Sequence, residues 1–154
     1  MNAPAKSKVI LMAEDDADDR LLAQDALAEA RLEGDLHFVE DGEELLDYLS
    51  HRGKYQAPAA SPRPGLILLD LNLPKKDGRE VLRQIRADPE LRRIPVVVLT
   101  TSKADTDIAK MYELGANSFI SKPIRFDALV NVMKLLGDYW FGIVELPAFK
   151  QNGL

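Results

Sequence analysis

The sequence predicts a doubly wound α/β fold, in which five βα units in succession build a five-stranded parallel sheet with helices on both faces. Three observations predict it. Short, almost purely apolar runs recur along the chain, as strands buried on both faces require. Amphipathic stretches at helical spacing separate them. Four of the runs end in polar groups of complementary chemistry, which is where open α/β sheets bind their ligands.

The first strand is Val9-Ile10-Leu11-Met12-Ala13, running into Glu14-Asp15-Asp16. From Asp18 to Glu33 the residues Leu21, Leu22, Ala26, Leu27 and Ala30 recur at helical spacing, and Gly34 supplies a stop. Leu36-His37-Phe38-Val39 is the second strand. Asp41-Gly42 makes a turn, and Glu43 to Leu49 forms a helix with Leu45, Leu46 and Leu49 inward. Arg52 to Gly65, rich in Pro, Ala, Gly and Ser, reads as an irregular loop. Leu66-Ile67-Leu68-Leu69 is the third strand, ending at Asp70. Asp77-Gly78 turns into a helix over Arg79 to Ala87. Pro95-Val96-Val97-Val98-Leu99 is a fourth strand ending at Thr100, followed by a helix over Asp105 to Leu114 with Gly115 after it. Ser118-Phe119-Ile120-Ser121 is the fifth strand, ending at Lys122-Pro123, and Arg125 to Tyr139 is the last helix.

The 154 residues suit one domain with one sizeable core. The hydrophobic share of 46% and charged share of 29% are those of a soluble globular chain. The absence of cysteine excludes disulfides and thiolate metal sites. No apolar run approaches the ~20 residues of a membrane span, and none near the N-terminus suits a signal peptide. A cytoplasmic protein is expected. The net charge of −5, without a basic stripe, disfavours nucleic-acid binding.

The chemistry sits at the strand ends. Glu14, Asp15 and Asp70 are expected to crowd one cleft. Two carboxylates ~4 Å apart repel by about 4 kcal/mol at an effective dielectric near 20. Such a cluster must be protonated or cation-bound, and with only oxygen donors Mg²⁺ is the natural occupant. Mg²⁺ shares ligation with a phosphate, leaving one carboxylate as a nucleophile toward phosphorus. Lys122 then neutralises incoming phosphoryl oxygens. Each residue alone has a plainer reading: an acidic run at a helix N-terminus, a turn aspartate, a strand threonine, a Lys-Pro turn. Their joint placement on four strand ends outweighs those readings.

The segments from Ile10 to Asp16, Leu68 to Gly78, Val97 to Ser102 and Phe119 to Pro123 resemble the receiver domain of response regulators, over roughly Lys8 to Gly137. The acidic pair, Asp-x-x-x-Pro, Thr and Lys-Pro carry the resemblance, with 30 residues from Asp70 to Thr100 and 22 from Thr100 to Lys122. It implies the flavodoxin-like receiver fold over residues 8–139 and a short extension over 140–154 without an output domain. It implies Asp70 as phosphoacceptor and Asp15 as a direct Mg²⁺ ligand. Glu14 would bind the metal through water, with the Asn72 backbone carbonyl as a further ligand. Thr100 and Lys122 would contact the phosphoryl group, and Thr100 and Phe119 would act as switch residues. Pro123 stands where the family often has a cis bond. A phosphoryl group adds about −1.5 to −2 charge. Thr100 is expected to move towards it and Phe119 to rotate inward, altering the face of the fourth helix, fifth strand and fifth helix.

Asn72-Leu73-Pro74-Lys75-Lys76-Asp77-Gly78, the long loop before the third strand and the aromatic tail resemble a narrower group, the stand-alone regulators of phytochrome-type histidine kinases. The expected role is signalling: phosphotransfer from a sensor histidine kinase to Asp70, with no turnover beyond its own phosphorylation and autodephosphorylation. A phosphorelay intermediate or a phosphate sink is the alternative, and a phosphorylation-independent pseudo-receiver a weaker one. An aspartyl-phosphate phosphatase would usually carry an acid two residues after the nucleophile, where this chain has Asn72. No helix-turn-helix pattern follows the receiver segments. In the tail, Trp140, Phe141, Ile143, Val144 and Leu146 carry too much apolar surface to stay in water. They either fold back on their own domain or, the preferred expectation, pack against a second copy as a two-fold dimer.

Overall fold

The structure is a computed structural model that describes residues 8–31, 34–102 and 104–147. Five strands form one parallel sheet: β1 (Val9–Ala13), β2 (Asp35–Val39), β3 (Leu66–Leu69), β4 (Val96–Thr100) and β5 (Ser118–Ser121), in the spatial order β2-β1-β3-β4-β5. The helices are α1 (Ala17–Glu29), α2 (Gly42–Ser50), α3 (Gly78–Ala87), α4 (Asp105–Glu113) and α5 (Phe126–Gly137). The doubly wound architecture is as the sequence predicts. Among the described residues, no helix is long and apolar enough to cross a membrane.

The three central strands are buried at every residue, which is why they are continuous apolar runs. Alternate side chains feed two cores. Leu11, Ala13, Ile67 and Leu69 face Leu45, Val81, Leu82, Ile85 and Met111 of α2, α3 and α4. Ile10, Met12, Leu66 and Leu68 face Ala23, Ala26, Leu27, Leu129 and Met133 of α1 and α5. The sheet order reverses between β1 and β3, and the crevice at such a switch point lies beyond the strands' carboxyl ends.

Aspartates turn three strands into helices. Asp16 accepts from the backbone N–H groups of Asp18 and Asp19, Asp41 from that of Glu44, and Asp77 from that of Arg79. Two glycines let these corners close. A Cβ on Gly78 would lie 2.6 Å from the Asp70 carbonyl oxygen, and one on Gly42 would lie 2.0 Å from that of Lys76.

Four sequence expectations need correction. Helix α1 ends at Glu29, and Glu33, the expected end, lies outside the described residues. Its buried residues are Ala23, Ala26 and Leu27, while Leu21 and Leu22 are 57% and 44% exposed. The small alanines allow close approach to α5, so this narrow stripe replaces the wider one. The last helix is regular only to Gly137, and Asp138–Ile143 form a wider turn. The bond before Pro123 is trans, the lower-energy isomer.

The fourth concerns residues 52–65, which are ordered rather than an irregular loop. Short 3₁₀ turns span Gly53–Tyr55 and Pro58–Ala60. Tyr48 donates its hydroxyl to the Pro62 carbonyl, and Tyr55 donates to Glu44 Oε2 at 2.5 Å. Ser61, fully buried, donates to the Tyr55 carbonyl and pairs with His51 Nδ1. Burial, then the Glu44 partner, pushes the Tyr55 hydroxyl well above its ordinary pKa, keeping it protonated as a donor.

The tail folds back in part. Trp140 and Phe141 are partly buried against the α1–α5 core, and Leu146 is buried. Val144 and Leu146 line a groove with Arg86, Ile94 and Pro95, at the amino end of β4. Ile143 points outward, 71% exposed. The expected tail segment 148–154 lies outside the described residues.

Candidate functional site

The carboxyl ends of β1, β3, β4 and β5 bring Glu14, Asp70, Thr100 and Lys122 into one contact set. Asp70 leaves β3 at the chain's central strand, largely shielded from solvent. Its Oδ1 accepts from Thr100 Oγ1 at 2.9 Å and from the Asn72 backbone N–H at 3.0 Å. Its Oδ2 faces Lys122 Nζ at 3.2 Å. Both carboxylate oxygens are thereby oriented by groups from β4, β5 and the following loop.

Lys122 is the hub. Its ammonium also donates to Glu14 Oε1, in a close pair, and to Asp19 Oδ2 at 3.4 Å. Three donor hydrogens thus meet three carboxylates. Burial would push the Lys122 ammonium down, but the Glu14 hydrogen bond and the charges of Asp70 and Glu14 outweigh it and hold the pKa above its ordinary value. Glu14 is 1% exposed. Burial raises its pKa, and Lys122 offsets this only in part. Lys122 itself is held in place by its backbone N–H, which donates to the Thr100 carbonyl at 2.7 Å and ties β5 to β4.

This revises the expected electrostatics. Lys122 offsets only part of the carboxylate charge at the strand ends, one ammonium against Glu14, Asp70 and Asp19, so the cleft keeps an excess of negative charge that suits a divalent cation. Asp15 is exposed, and the described contacts place it outside the Lys122 set. Among the described residues, no three carboxylates or histidines converge closely enough to cage a metal ion by themselves. A Mg²⁺-like cation does not need such a cage, because it takes one or two carboxylates and completes its shell with water and phosphate. The all-oxygen set of Glu14, Asp15 and Asp70 fits that demand and no softer metal.

Three contributors escaped the sequence reading. Asp19, in the first turn of α1, reaches Lys122. Arg20 donates to the carbonyls of Glu14 and Asp15 at 2.9 and 3.0 Å and pins the acidic loop. Arg79 links α3 to α4 through Asp107. Asp19 and Arg20 had a signal, their position one turn after Asp15 on a helix. Arg79 had none, since its partner is 28 residues away.

Of Thr100 and Phe119, the pair expected to switch, Thr100 already contacts Asp70 here. Phe119 is partly buried against the α2–α3–α4 core, and its backbone N–H donates to the Tyr112 hydroxyl on α4 at 3.2 Å.

Residues 10–134 match the family model of the response regulator receiver domain. Response regulator Rcp1 of Synechocystis sp. is 44% identical over 141 residues, covering 92% of this chain and 94% of that protein. A crystal structure of the Mn²⁺-bound form of Rcp1 superposes with a TM-score of 0.82, at 44% identity, over 92% of this chain and 99% of that one. The phosphorylated cyanobacterial phytochrome response regulator RcpA gives a TM-score of 0.84, at 44% identity, with the same coverage of 92% and 99%.

Proposed function

The chain belongs to the response regulator receiver domain family, and we propose that within it Asp70 accepts the phosphoryl group of a sensor kinase's phosphohistidine. Response regulators of this kind serve two-component signalling, and this one stands close to the phytochrome regulators Rcp1 and RcpA. One observation carries the assignment of Asp70. It is the strand-end carboxylate on which a threonine hydroxyl, a lysine ammonium and a backbone N–H converge.

In the transfer, an Asp70 oxygen attacks phosphorus, the bond from phosphorus to the kinase imidazole breaks, and that nitrogen leaves with the electron pair. The product is a mixed anhydride at Asp70, later cleaved by water. Lys122 faces Oδ2 and neutralises phosphoryl charge there, while Thr100 donates to a phosphoryl oxygen. Glu14, Asp15, Asp70 and the Asn72 carbonyl would hold Mg²⁺, which when bound lowers the charge repulsion between carboxylate and phosphate. The Mn²⁺-bound form of Rcp1 supports a divalent cation. Thr100 and Phe119 relay the change to the face of α4, β5 and α5. The protein assists only its own phosphorylation and autodephosphorylation.

The kinase partner is of phytochrome type, a reading supported by the similarity to RcpA. The protein works in the cytoplasm and binds no nucleic acid. It acts as an output, with relay step or phosphate sink as the alternative. The end of α5 and the tail form a two-fold contact between copies, favoured by the exposed apolar side chains of Leu135, Tyr139 and Ile143. Incubation with acetyl phosphate and Mg²⁺, read by intact mass, tests the core assignment. One added phosphoryl group is expected, absent in Asp70→Asn; equal labelling of that variant would refute it.

A further inference from the structure

We propose that Arg79, Asp107 and Ser102 form a latch that positions the chain just after β4 at Ser102, and with it Thr100, against Asp70. The inference rests on the phosphoacceptor reading above. Arg79, the second residue of α3, donates from Nη2 to Asp107 Oδ1 at 2.7 Å. The other Asp107 oxygen accepts from Ser102 Oγ at 2.6 Å. Ser102 follows Thr100 by two residues, and Thr100 Oγ1 donates to Asp70 Oδ1 at 2.9 Å. Asp70 in turn leads through its own loop to Gly78, which packs on the Asp70 carbonyl, and so back to Arg79. The contacts close a ring around the phosphoacceptor.

Helix α4 needs such a tie. Ala104 at its N-cap has no side-chain acceptor to offer, and Met111 is its one buried residue. A helix so thinly packed sits at the low-stability end of the fold, where small polar contacts set position. Asp107 stands in its first turn, where the helix dipole favours a carboxylate. Hydrogen bonds from Ser102 and then Arg79 hold its carboxyl below the usual range, so it stays ionised. Arg79 is braced in turn by Asp77, at 3.0 Å from Nη1. An isolated surface ion pair would contribute little. This one differs because both Asp107 oxygens are used, one by Arg79 of α3 and one by Ser102 after β4. A loop already held with Thr100 facing the acceptor loses less freedom when the phosphoryl group arrives.

Arg79, Asp107 and Ser102 are positioning residues, acting through Thr100. The test measures the rate of Asp70 phosphorylation against acetyl phosphate concentration, with Mg²⁺ present, in the full chain. Asp107→Ala and Ser102→Ala are expected to lower the maximal rate roughly fivefold, with the half-saturating concentration unchanged. Asp107→Asn, whose amide oxygen can still accept from Ser102 but which lacks the charge facing Arg79, is expected to fall between Asp107→Ala and the parent chain. Glu80→Ala, which breaks the exposed pair with Arg83 on the same helix, leaves the rate unchanged. Unchanged or faster rates in both alanine variants overturn the latch, as does an Asp107→Asn rate no higher than that of Asp107→Ala. A parent chain that takes no phosphoryl group overturns the receiver reading and the latch with it. A labelled parent with unaffected variants overturns the latch alone.

Discussion

At the scale of the residue, one ammonium group serves three carboxylates. Lys122 is 11% exposed in its side chain, and Glu14 beneath it 1%. Truncating Lys122 leaves Glu14 ionised in a buried place, or forces it to take a proton. Removing one member of a buried pair costs far more than removing both. Lys122→Ala is therefore expected to lose about 3 kcal/mol in urea unfolding at neutral pH. Glu14→Gln combined with Lys122→Met should recover part of it, because shape is kept and the buried Glu14 charge goes with its partner, while Asp70 still loses its ammonium. Millimolar Mg²⁺ should stabilise Lys122→Ala more than the parent chain, since the cation can take over the lost compensation. A single variant as stable as the parent would show that the lysine does not neutralise Glu14.

The same residue marks how far the sequence was legible. Its place at a strand end was readable, because four apolar runs with polar ends define where the crevice lies. Its contact with Asp19 and the compensation of the acids were not, because they depend on how α1 and β5 meet across the sheet edge. From the acids alone, protonation or a bound cation was the visible relief, and Lys122 was expected to face phosphoryl oxygens rather than Glu14.

At the scale of the element, strands and helices differ in how openly they declare themselves. The central strands are buried on both faces, so their apolar runs match the observed elements almost residue for residue. Helix α1 turns Ala26 and Leu27, and Ala30 at its C-cap, to the core as its repeat predicts, but Leu21 and Leu22, which fit the same repeat, face solvent and Ala23 is buried instead. Only the closeness of α5 decides between them. The segment 52–65 was misread for a related reason. Its order comes from single long-range hydrogen bonds of Tyr48, Tyr55 and Ser61, which leave no periodic trace.

The corner before α2 gives a sharp element-level test. The Gly42 N–H donates to the Pro74 carbonyl at 3.4 Å, so the loop after β2 is stitched to the loop after Asp70. An added methyl would meet Lys76 oxygen at 2.0 Å and Val81 Cγ2 at 2.8 Å. The first obstacle is backbone, so the loop itself must shift. Gly42→Ala is expected to destabilise by about 3 kcal/mol by thermal or urea unfolding, the upper range for overpacking. Gly142→Ala is the control: its Cβ meets nothing within 4 Å, and the change should be within about 0.5 kcal/mol of neutral. Because the loop also carries Asn72, whose N–H donates to Asp70 Oδ1, Gly42→Ala should also slow phosphorylation of Asp70.

At the scale of the whole molecule, the fold separates two ends of the sheet. The carboxyl ends hold Asp70, Thr100 and Lys122, and the tail packs at the opposite end, where Val144 and Leu146 approach Ile94 and Pro95 before β4. Its residues therefore divide into two jobs that one deletion would confuse. Trp140, Phe141 and Leu146 are packed on their own domain, so their truncation is a loss of core. Ile143 is outward, beside the exposed Tyr139, so it is free to meet a second copy. Trp140→Ala is expected to lower unfolding stability by about 2 kcal/mol, less than full core truncation because the ring is partly exposed. Ile143→Asp should leave monomer stability within about 0.5 kcal/mol of the parent, as surface changes do. If copies pair through this face, Ile143→Asp is a monomer by light scattering at concentrations where the parent is a dimer, since a charge buried without a partner there is costly. Equal masses for the two, at concentrations spanning a hundredfold, would leave the tail with only its packing role and remove the two-fold contact from the proposed function.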